Sequence, residues 1–331
     1  MRYRFIGDTI LTVPFLRNLR EQYPQAKIDV LVGPKSGEVL EGCPYVDELI
    51  KYDTTRFHKY DSGDGKPRNL FSYALQLRRK KYDRVYVLKR SFSAGLLAFL
   101  TGAKERIGYR GDGWFFLTTS VPFDTSIHEV DSLLQVLSAS GVKVTDRSLE
   151  AFVDEPAVAA VKSLEPALHG GPFVLIHAAS AHPDKTYPLM KWAKIVSRLY
   201  NELGLVAVFS GDKQDQETYK ELARLSGTPY IDMSGRLSLR QSMALYTLMK
   251  LSVCVDSGPA HLCAACGVPT VTLFGPTDPS RWRPYGDKHR AVYDESLACR
   301  PCHYKKTCQN RECLTELSEE RVFQIIQGVN I

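Results

Sequence analysis

Val253-Cys254-Val255-Asp256-Ser257-Gly258-Pro259-Ala260-His261, running on through Gly267-Val268-Pro269-Thr270-Val271-Thr272-Leu273-Phe274-Gly275-Pro276-Thr277, decides the fold class. Residues 253–255 are a short apolar run, the pattern of a strand buried in a parallel sheet. Asp256 and Ser257 are N-cap residues for a following helix, and Gly258 lets backbone N–H groups come close to a ligand. A helix opening there offers unpaired N–H donors and the positive end of its dipole, a seat for a phosphate. His261, one turn in, can face the same anion. Residues 260–266 are rich in small side chains and can pack close to a sheet, with Gly267 ending the helix and Pro269 opening the next strand. A second glycine turn, Phe274-Gly275-Pro276-Thr277, closes that strand. Either turn alone reads equally as an ordinary crossover. Together they place Asp, Ser, Gly and His beyond the carboxyl ends of adjacent strands, where open α/β sheets bind ligands.

Working outward, 331 residues exceed one ordinary domain, and two are expected, over 1–155 and 156–331. The pattern-poor stretch 141–170, with Pro156 and Pro166, reads as the link between them. A hydrophobic content of 44% with 24% charged residues is that of a soluble globular enzyme. No apolar run approaches the roughly 20 residues of a membrane span, and residues 1–8 lack the apolar core of a secretory signal. A cytoplasmic protein is the expectation. The net charge of +6 permits anionic partners without choosing among them. No RNA-binding motif and no Cys/His finger precedes a recognition helix, which disfavours nucleic acid.

In the first half, Gly7-Asp8 followed by 9–20 reads as a glycine turn leading into an amphipathic helix. Asp8, at the helix start, reads equally as a cap or as a catalytic carboxylate. Strands are expected at 28–32, 82–88 and 106–109, and helices over 93–101 and from His128-Glu129-Val130-Asp131 to about Ser140. Lys89, Arg90, Arg106 and Arg110 are candidates for an anionic acceptor site, each alone reading as solvated charge. Gly33-Pro34-Lys35-Ser36 lacks the upstream glycine of a phosphate loop. Residues 53–69, with Asp61, Asp64 and Lys66, read as a polar surface loop without calcium-loop spacing.

In the second half, strand 173–177 leads into the loop 178–188, which carries Ser180 and Lys185 ahead of a helix from about Met190. A lysine there can meet a phosphate as a point charge. Strand 206–209 ends in Ser210-Gly211-Asp212, with Asp215 just beyond. Leu237, before the next helix, reads as core or as cover for an adenine face. Of eight cysteines, Cys43, Cys254, Cys263 and Cys266 read as small core residues. Cys299, Cys302, Cys308 and Cys313 cluster tightly enough to suggest a knuckle, zinc-bound or not, away from the chemistry. A last helix over 318–327 is expected to pack back across the interdomain region.

The run at 256–261, the alanine-rich helix, Gly267-Val268-Pro269 and Leu273-Phe274-Gly275-Pro276-Thr277-Asp278-Pro279 resemble the nucleotide-sugar-binding signature of glycosyltransferase family 9, the ADP-heptose:lipopolysaccharide heptosyltransferases. Gly7-Asp8 with Thr12 and Pro14 is similar to the family's N-terminal motif, whose Asp is the catalytic base. Ser180 and Lys185 match its lysine loop, with a slight departure at Thr186-Tyr187, and the family's acidic residue after the next strand aligns with Asp215. A similar cysteine-rich segment occurs in heptosyltransferase II-like members. The resemblance spans essentially the whole chain.

It implies a GT-B architecture, two facing Rossmann-like domains with a cleft between them, and inverting sugar transfer without a catalytic metal. Ser180, Lys185, Asp215, Leu237, Asp256, Ser257, Gly258 and His261 would hold an ADP-sugar, and Asp8 would deprotonate the acceptor. The acceptor would be a lipopolysaccharide core or similar glycolipid, reached by a peripheral enzyme at the cytoplasmic face of the inner membrane. The family also carries an apolar strand before Gly-Asp, whereas residues 1–5 are short and interrupted by Arg2 and Arg4. The expectation is therefore that the natural start lies upstream of Met1. Rival readings are a sugar-nucleotide epimerase of GT-B form, a non-catalytic sugar-nucleotide-binding protein and a dinucleotide oxidoreductase. The last is weakened because no Gly-x-Gly-x-x-Gly follows a strand.

Overall fold

In the computed structural model the chain divides into two compact units, residues 1–152 and 153–331. The structure describes residues 5–52, 69–304, 308 and 310–330, and every count below refers to these. Most of the polar loop expected at 53–69 lies outside them, as do Met1–Arg4.

The first unit opens with α1 (Ile6–Ile10) and α2 (Val13–Gln22), which lead into β1 (Asp29–Val32) and β2 (Glu48–Lys51). α3 (Leu70–Arg79), β3 (Arg84–Val87), α4 (Phe92–Leu100), β4 (Glu105–Tyr109), β5 (Thr119–Val121) and α5 (Glu129–Ser138) follow. All strand pairs are parallel, but they fall into two sheets, β1-β2 and β3-β4-β5. Alternation along the strands sends Leu31 and Ile50 against Tyr73, Ala74 and Leu77 of α3 and Leu97 of α4. Val85 and Val87 pack on Ala94 and Ala98 of α4. Tyr86, pointing the other way, meets Phe15 of α2 edge-on at 5.0 Å. Between β1 and β3 lies a cavity of about 580 Å³, lined by Phe15, Leu16, Leu19, Val30, Leu31 and Val85 among others.

The irregular stretch 141–152 belongs to this unit because α2 grips it. Buried Arg17 donates to Asp146 at 2.7 Å, Glu150 at 2.7 Å, the Ser148 carbonyl at 3.0 Å and the Tyr45 hydroxyl at 3.0 Å. Asn18 donates to the Asp146 carbonyl at 2.6 Å and accepts from the Thr145 N–H at 2.6 Å. Both carboxylates are over 40% exposed and can return to water, so the loss on removing Arg17 is mainly of hydrogen bonds. Arg17→Ala is expected to destabilise this unit by about 2 kcal/mol, read as a lower urea midpoint. An unchanged midpoint would contradict that role.

The second unit begins with α6 (Glu155–Leu164), so much of the expected link is in fact a helix, packed on α9 (Leu239–Thr247). Between them come β6 (Phe173–His177), α7 (Leu189–Leu203), β7 (Val206–Phe209), α8 (Gln216–Ser226) and β8 (Tyr230–Asp232). Then follow β9 (Leu251–Val255), α10 (Gly258–Ala265), β10 (Thr270–Leu273), α11 (Pro279–Trp282), β11 (Arg290–Val292), α12 (Glu312–Thr315) and α13 (Glu319–Gln327). One parallel sheet runs in the order β11-β10-β9-β6-β7-β8. β6, β9 and β10 are buried at every position, which is why they read as continuous apolar runs without alternation. α13, expected to pack back across the interdomain region, buries Val322, Phe323 and Ile326 in this unit's own core, on α7, β10 and β11.

Candidate functional site

Strand order locates the site before any side chain does. From β6 the second unit's chain steps outward through β7 to β8, then returns to the other side of β6 and steps through β9 and β10 to β11. The direction reverses between β6 and β9, and loops leaving their carboxyl ends part there, opening a crevice at a topological switch point. Lys185 lies on the loop after β6, and Asp256 is the first residue after β9. The Lys185 ammonium donates to Asp256 Oδ2 at 2.6 Å, with side chains 17% and 6% exposed. The Thr277 hydroxyl, from the turn after β10, donates to the same oxygen. Three consecutive loops of the sheet thus converge on one carboxylate. Burial, the largest single influence, would lower the Lys185 pKa, but the charges and hydrogen bonds of Asp256 and Tyr304 together outweigh it and hold the ammonium above its usual value.

Ser257 stands at the N-cap of α10 in extended conformation, as expected, yet it does not cap. Its hydroxyl donates back to the Val255 carbonyl at 3.1 Å, so no side chain caps the first turn. Pro259 in that turn has no N–H to satisfy. The Gly258 end of the helix is thus available to an anion. His261 is buried one turn in. His289 is also buried, its Nδ1 without a hydrogen-bond partner among the described residues. Burial, then the charges of Lys288, Arg290 and His261, pushes the His289 pKa down to about 4. Its unfolded value is near 6.5, so its contribution to stability is complete above that pH and is lost as pH falls toward 4. His289→Gln is expected to flatten the fall of the thermal midpoint between pH 6.5 and 4; an unaltered pH profile would refute this.

The other expected donor residues sit along the same carboxyl edge without closing on this trio. Ser180 accepts from the His182 N–H at 3.2 Å within its own loop. Asp215 folds back to accept from the Asp212 N–H at 2.7 Å. Leu237 is half-buried on the loop between β8 and α9.

The sequence reading set the cysteine-rich segment away from the chemistry; the structure brings it against the loops of the trio. The segment straps two of the three loops that meet there, those after β6 and β10. The Arg300 guanidinium donates to the carbonyls of Gly275 at 2.6 Å, Asp294 at 2.9 Å and Thr277 at 3.3 Å. The His303 N–H donates to the Pro276 carbonyl at 2.9 Å, and Arg311 donates to the Pro183 carbonyl at 2.7 Å and the Thr186 hydroxyl at 2.8 Å. Tyr304 lies 4.0 Å from the His182 ring, centroid to centroid, and 5.9 Å from the Lys185 ammonium. A Cβ at Gly275 would stand 2.7 Å from Leu314, so only glycine lets α12 come so close. Thr277, Arg300 and Tyr304 are the residues that sequence reasoning missed. Arg300 was hidden by its cysteine neighbours, although an arginine inside a tight cysteine spacing was itself a signal. Burial raises the Cys313 thiol to about 11, and the other three thiols add to the effect. Among the described residues no three His, Cys, Asp or Glu side chains are placed to hold a metal.

In the first unit, Gly7 and Asp8 are not a turn: both lie inside α1, with half-buried Asp8 in its first turn. The Thr12 hydroxyl donates to the Asp8 carbonyl at 2.9 Å. Arg106 is spent on the Phe116 and Ala103 carbonyls and leaves the set of candidate acceptor residues. Arg90 and Arg110 are exposed, lying over the rings of Phe123 at 3.8 Å and Trp114 at 5.9 Å.

A profile of glycosyltransferase family 9 (heptosyltransferase) matches residues 70–313. The chain is 28% identical over 293 residues to lipopolysaccharide heptosyltransferase 3 of Escherichia coli, covering 86% of this chain and 85% of the relative. It is 26% identical over 311 residues to lipopolysaccharide heptosyltransferase 2 of Salmonella typhimurium, covering 87% and 85%. Among solved structures, a glycosyl transferase family 9 protein from Veillonella parvula superposes with a TM-score of 0.82 at 25% identity, covering 98% of this chain and 94% of the other. The Escherichia coli heptosyltransferase WaaC with ADP superposes with a TM-score of 0.77 at 20% identity, covering 99% and 98%, a likeness of fold.

Proposed function

The chain belongs to glycosyltransferase family 9, and from that premise we propose that it transfers heptose from ADP-heptose to a lipopolysaccharide core, inverting the anomeric carbon. The observation that carries the donor half is the meeting of Lys185, Asp256 and Thr277 beside the open end of α10. As the bond from the anomeric carbon to the diphosphate oxygen breaks, negative charge grows on ADP. The Lys185 ammonium and the N–H groups opening α10 face that charge and lower the barrier, without a catalytic metal. Asp256, locked by Thr277, positions the ammonium, and His261 adds a donor one turn in. Ser180 and Asp215 are assigned to the donor's polar groups and Leu237 to its base. Asp8 accepts the proton of the acceptor hydroxyl as its oxygen bonds to the anomeric carbon.

The first unit is assigned the acceptor. Phe92, Phe99, Trp114 and Phe115 are each at least 50% exposed there, close to outward Arg90 and Arg110. Exposed aromatic rings beside cations suit a phosphorylated glycolipid at a membrane surface. No helix among the described residues is long and apolar enough to cross a membrane, and a peripheral position at the cytoplasmic face fits that composition. Calorimetric titration tests the donor assignment: ADP is expected to bind more tightly than UDP. UDP preferred would return the epimerase reading, and binding of neither would remove the donor site.

A further inference from the structure

The segment around Arg300 carries one side chain that the donor chemistry has not used. Arg300 grips the carbonyls of Gly275 and Thr277 in the loop after β10, at 2.6 Å and 3.3 Å, and covers the Tyr293 ring at 4.8 Å. The His303 N–H holds the Pro276 carbonyl of the same loop at 2.9 Å. His303 and Tyr304 then both adopt left-handed backbone, with φ of 49° and 61°. Two successive non-glycine residues in that region are uncommon, and such conformations gather at binding sites, where the surroundings hold them. The bend sets Tyr304 against the loop after β6. Its ring lies 4.0 Å from the His182 ring, centroid to centroid, with 31° between the planes. At 37% exposure it stays within reach of a ligand.

The Lys185 ammonium is 5.9 Å from the centre of the Tyr304 ring. That is the outer limit for a cation held by a ring face, about 6 Å. The phenol oxygen stands beyond the ring, and it, not the face, is the part that meets the ammonium. An ammonium has three donors and no acceptor. One N–H goes to Asp256 and one to the Tyr304 oxygen, which leaves the third for a ligand. Because that oxygen accepts from Lys185, its own O–H turns away from the ammonium toward a different acceptor. Burial above all, with the charges of Asp256 and Asp184, outweighs the lowering by Lys185 and holds the phenol pKa above its usual value. The proton therefore stays on the oxygen at neutral pH, and the O–H remains a donor. An ammonium N–H and an O–H polarised by the same ammonium form a pair of donors beside the open end of α10. A group that only accepts, with several oxygens on one centre, satisfies both, and a phosphate is such a group.

We propose that Tyr304 is a donor-binding residue whose O–H, next to the Lys185 ammonium, bonds an oxygen of the nucleotide's diphosphate; this rests on the reading of the crevice as an ADP-sugar site. Through Tyr304 the cysteine-rich segment takes part in binding as well as in bracing the loops. Calorimetric titration of the full chain with ADP and with adenosine tests it, on wild type, Tyr304→Phe, Tyr304→Ala and Lys185→Ala. Tyr304→Phe removes the hydroxyl and leaves the ring on His182. Its affinity for ADP is expected to fall by about tenfold, with no further loss in Tyr304→Ala and none with adenosine. The thermal midpoint without nucleotide should change little. Unchanged ADP affinity in Tyr304→Phe, with loss in Lys185→Ala, would overturn the proposal and leave the donor site standing. Loss only in Tyr304→Ala would assign the ring in place of the hydroxyl, and an equal loss with adenosine would put the hydroxyl on the nucleoside; either overturns it. A fall in affinity matched by a lower nucleotide-free midpoint would make Tyr304 structural. Absence of ADP binding in wild type would remove the donor reading and this assignment together.

Discussion

Asp8→Asn is expected to lower kcat by about 10²–10⁴-fold, the usual share of a general base, while ADP affinity changes little. The two readouts separate because the residues assigned to ADP all belong to the second unit, and Asp8 to the first. The substitution keeps the shape of the side chain and removes its charge. α1 has no side-chain cap at its start, and the Thr9 hydroxyl ties back to the Phe5 carbonyl at 2.9 Å, so Asn leaves these supports intact. Steady-state ADP release with a parallel titration checks the prediction. Turnover within a few-fold of wild type would remove Asp8 from the chemistry; loss of ADP binding together with turnover would make it structural.

Lys185→Ala has the second large effect, and it acts on two observables. It removes the cation that faces the diphosphate, and ADP affinity is expected to fall by about 30-fold, the size of one charge-assisted contact. It also leaves Asp256, 5% exposed, with Thr277 but no cation. Removing one partner of a buried pair costs about 3 kcal/mol, so the thermal midpoint should drop as well. Lys185→Ala combined with Asp256→Asn separates the effects: the double variant should recover most of the stability and none of the affinity. Recovered affinity in the double variant would show that the lysine served the fold and not the nucleotide.

Much of the second unit was legible because its strands are buried on both faces and announce themselves as apolar runs. The turn at Asp256-Ser257-Gly258 was legible for the same reason, standing directly after such a run. What the spacing could not give was the partner of each group. Asp256 was assigned to a cap or to the ADP-sugar, yet it holds Lys185, 71 residues away, because two loops part at the switch point. Asp215, read as holding the ADP-sugar, bonds its own turn; a carboxylate three residues beyond a strand-end Asp can satisfy a local N–H first. The cysteines drew attention to themselves and away from Arg300, whose carbonyl contacts are long-range and leave no periodic signature. In the first unit the strands at 28–32, 82–88 and 106–109 were legible, whereas the more exposed β2 and β5 and the helical Gly7-Asp8 were harder to read.

The central claim is transfer of a sugar from an ADP-sugar to a second substrate. Its most direct measurement is ADP release from ADP-heptose, with and without a lipopolysaccharide core acceptor lacking its heptose, with the products followed by mass spectrometry. Release that requires the acceptor, yields a glycolipid heavier by one heptose and is lost in Asp8→Asn is the predicted result. Conversion of the sugar nucleotide without acceptor, or tight binding with no turnover in its presence, would contradict the account.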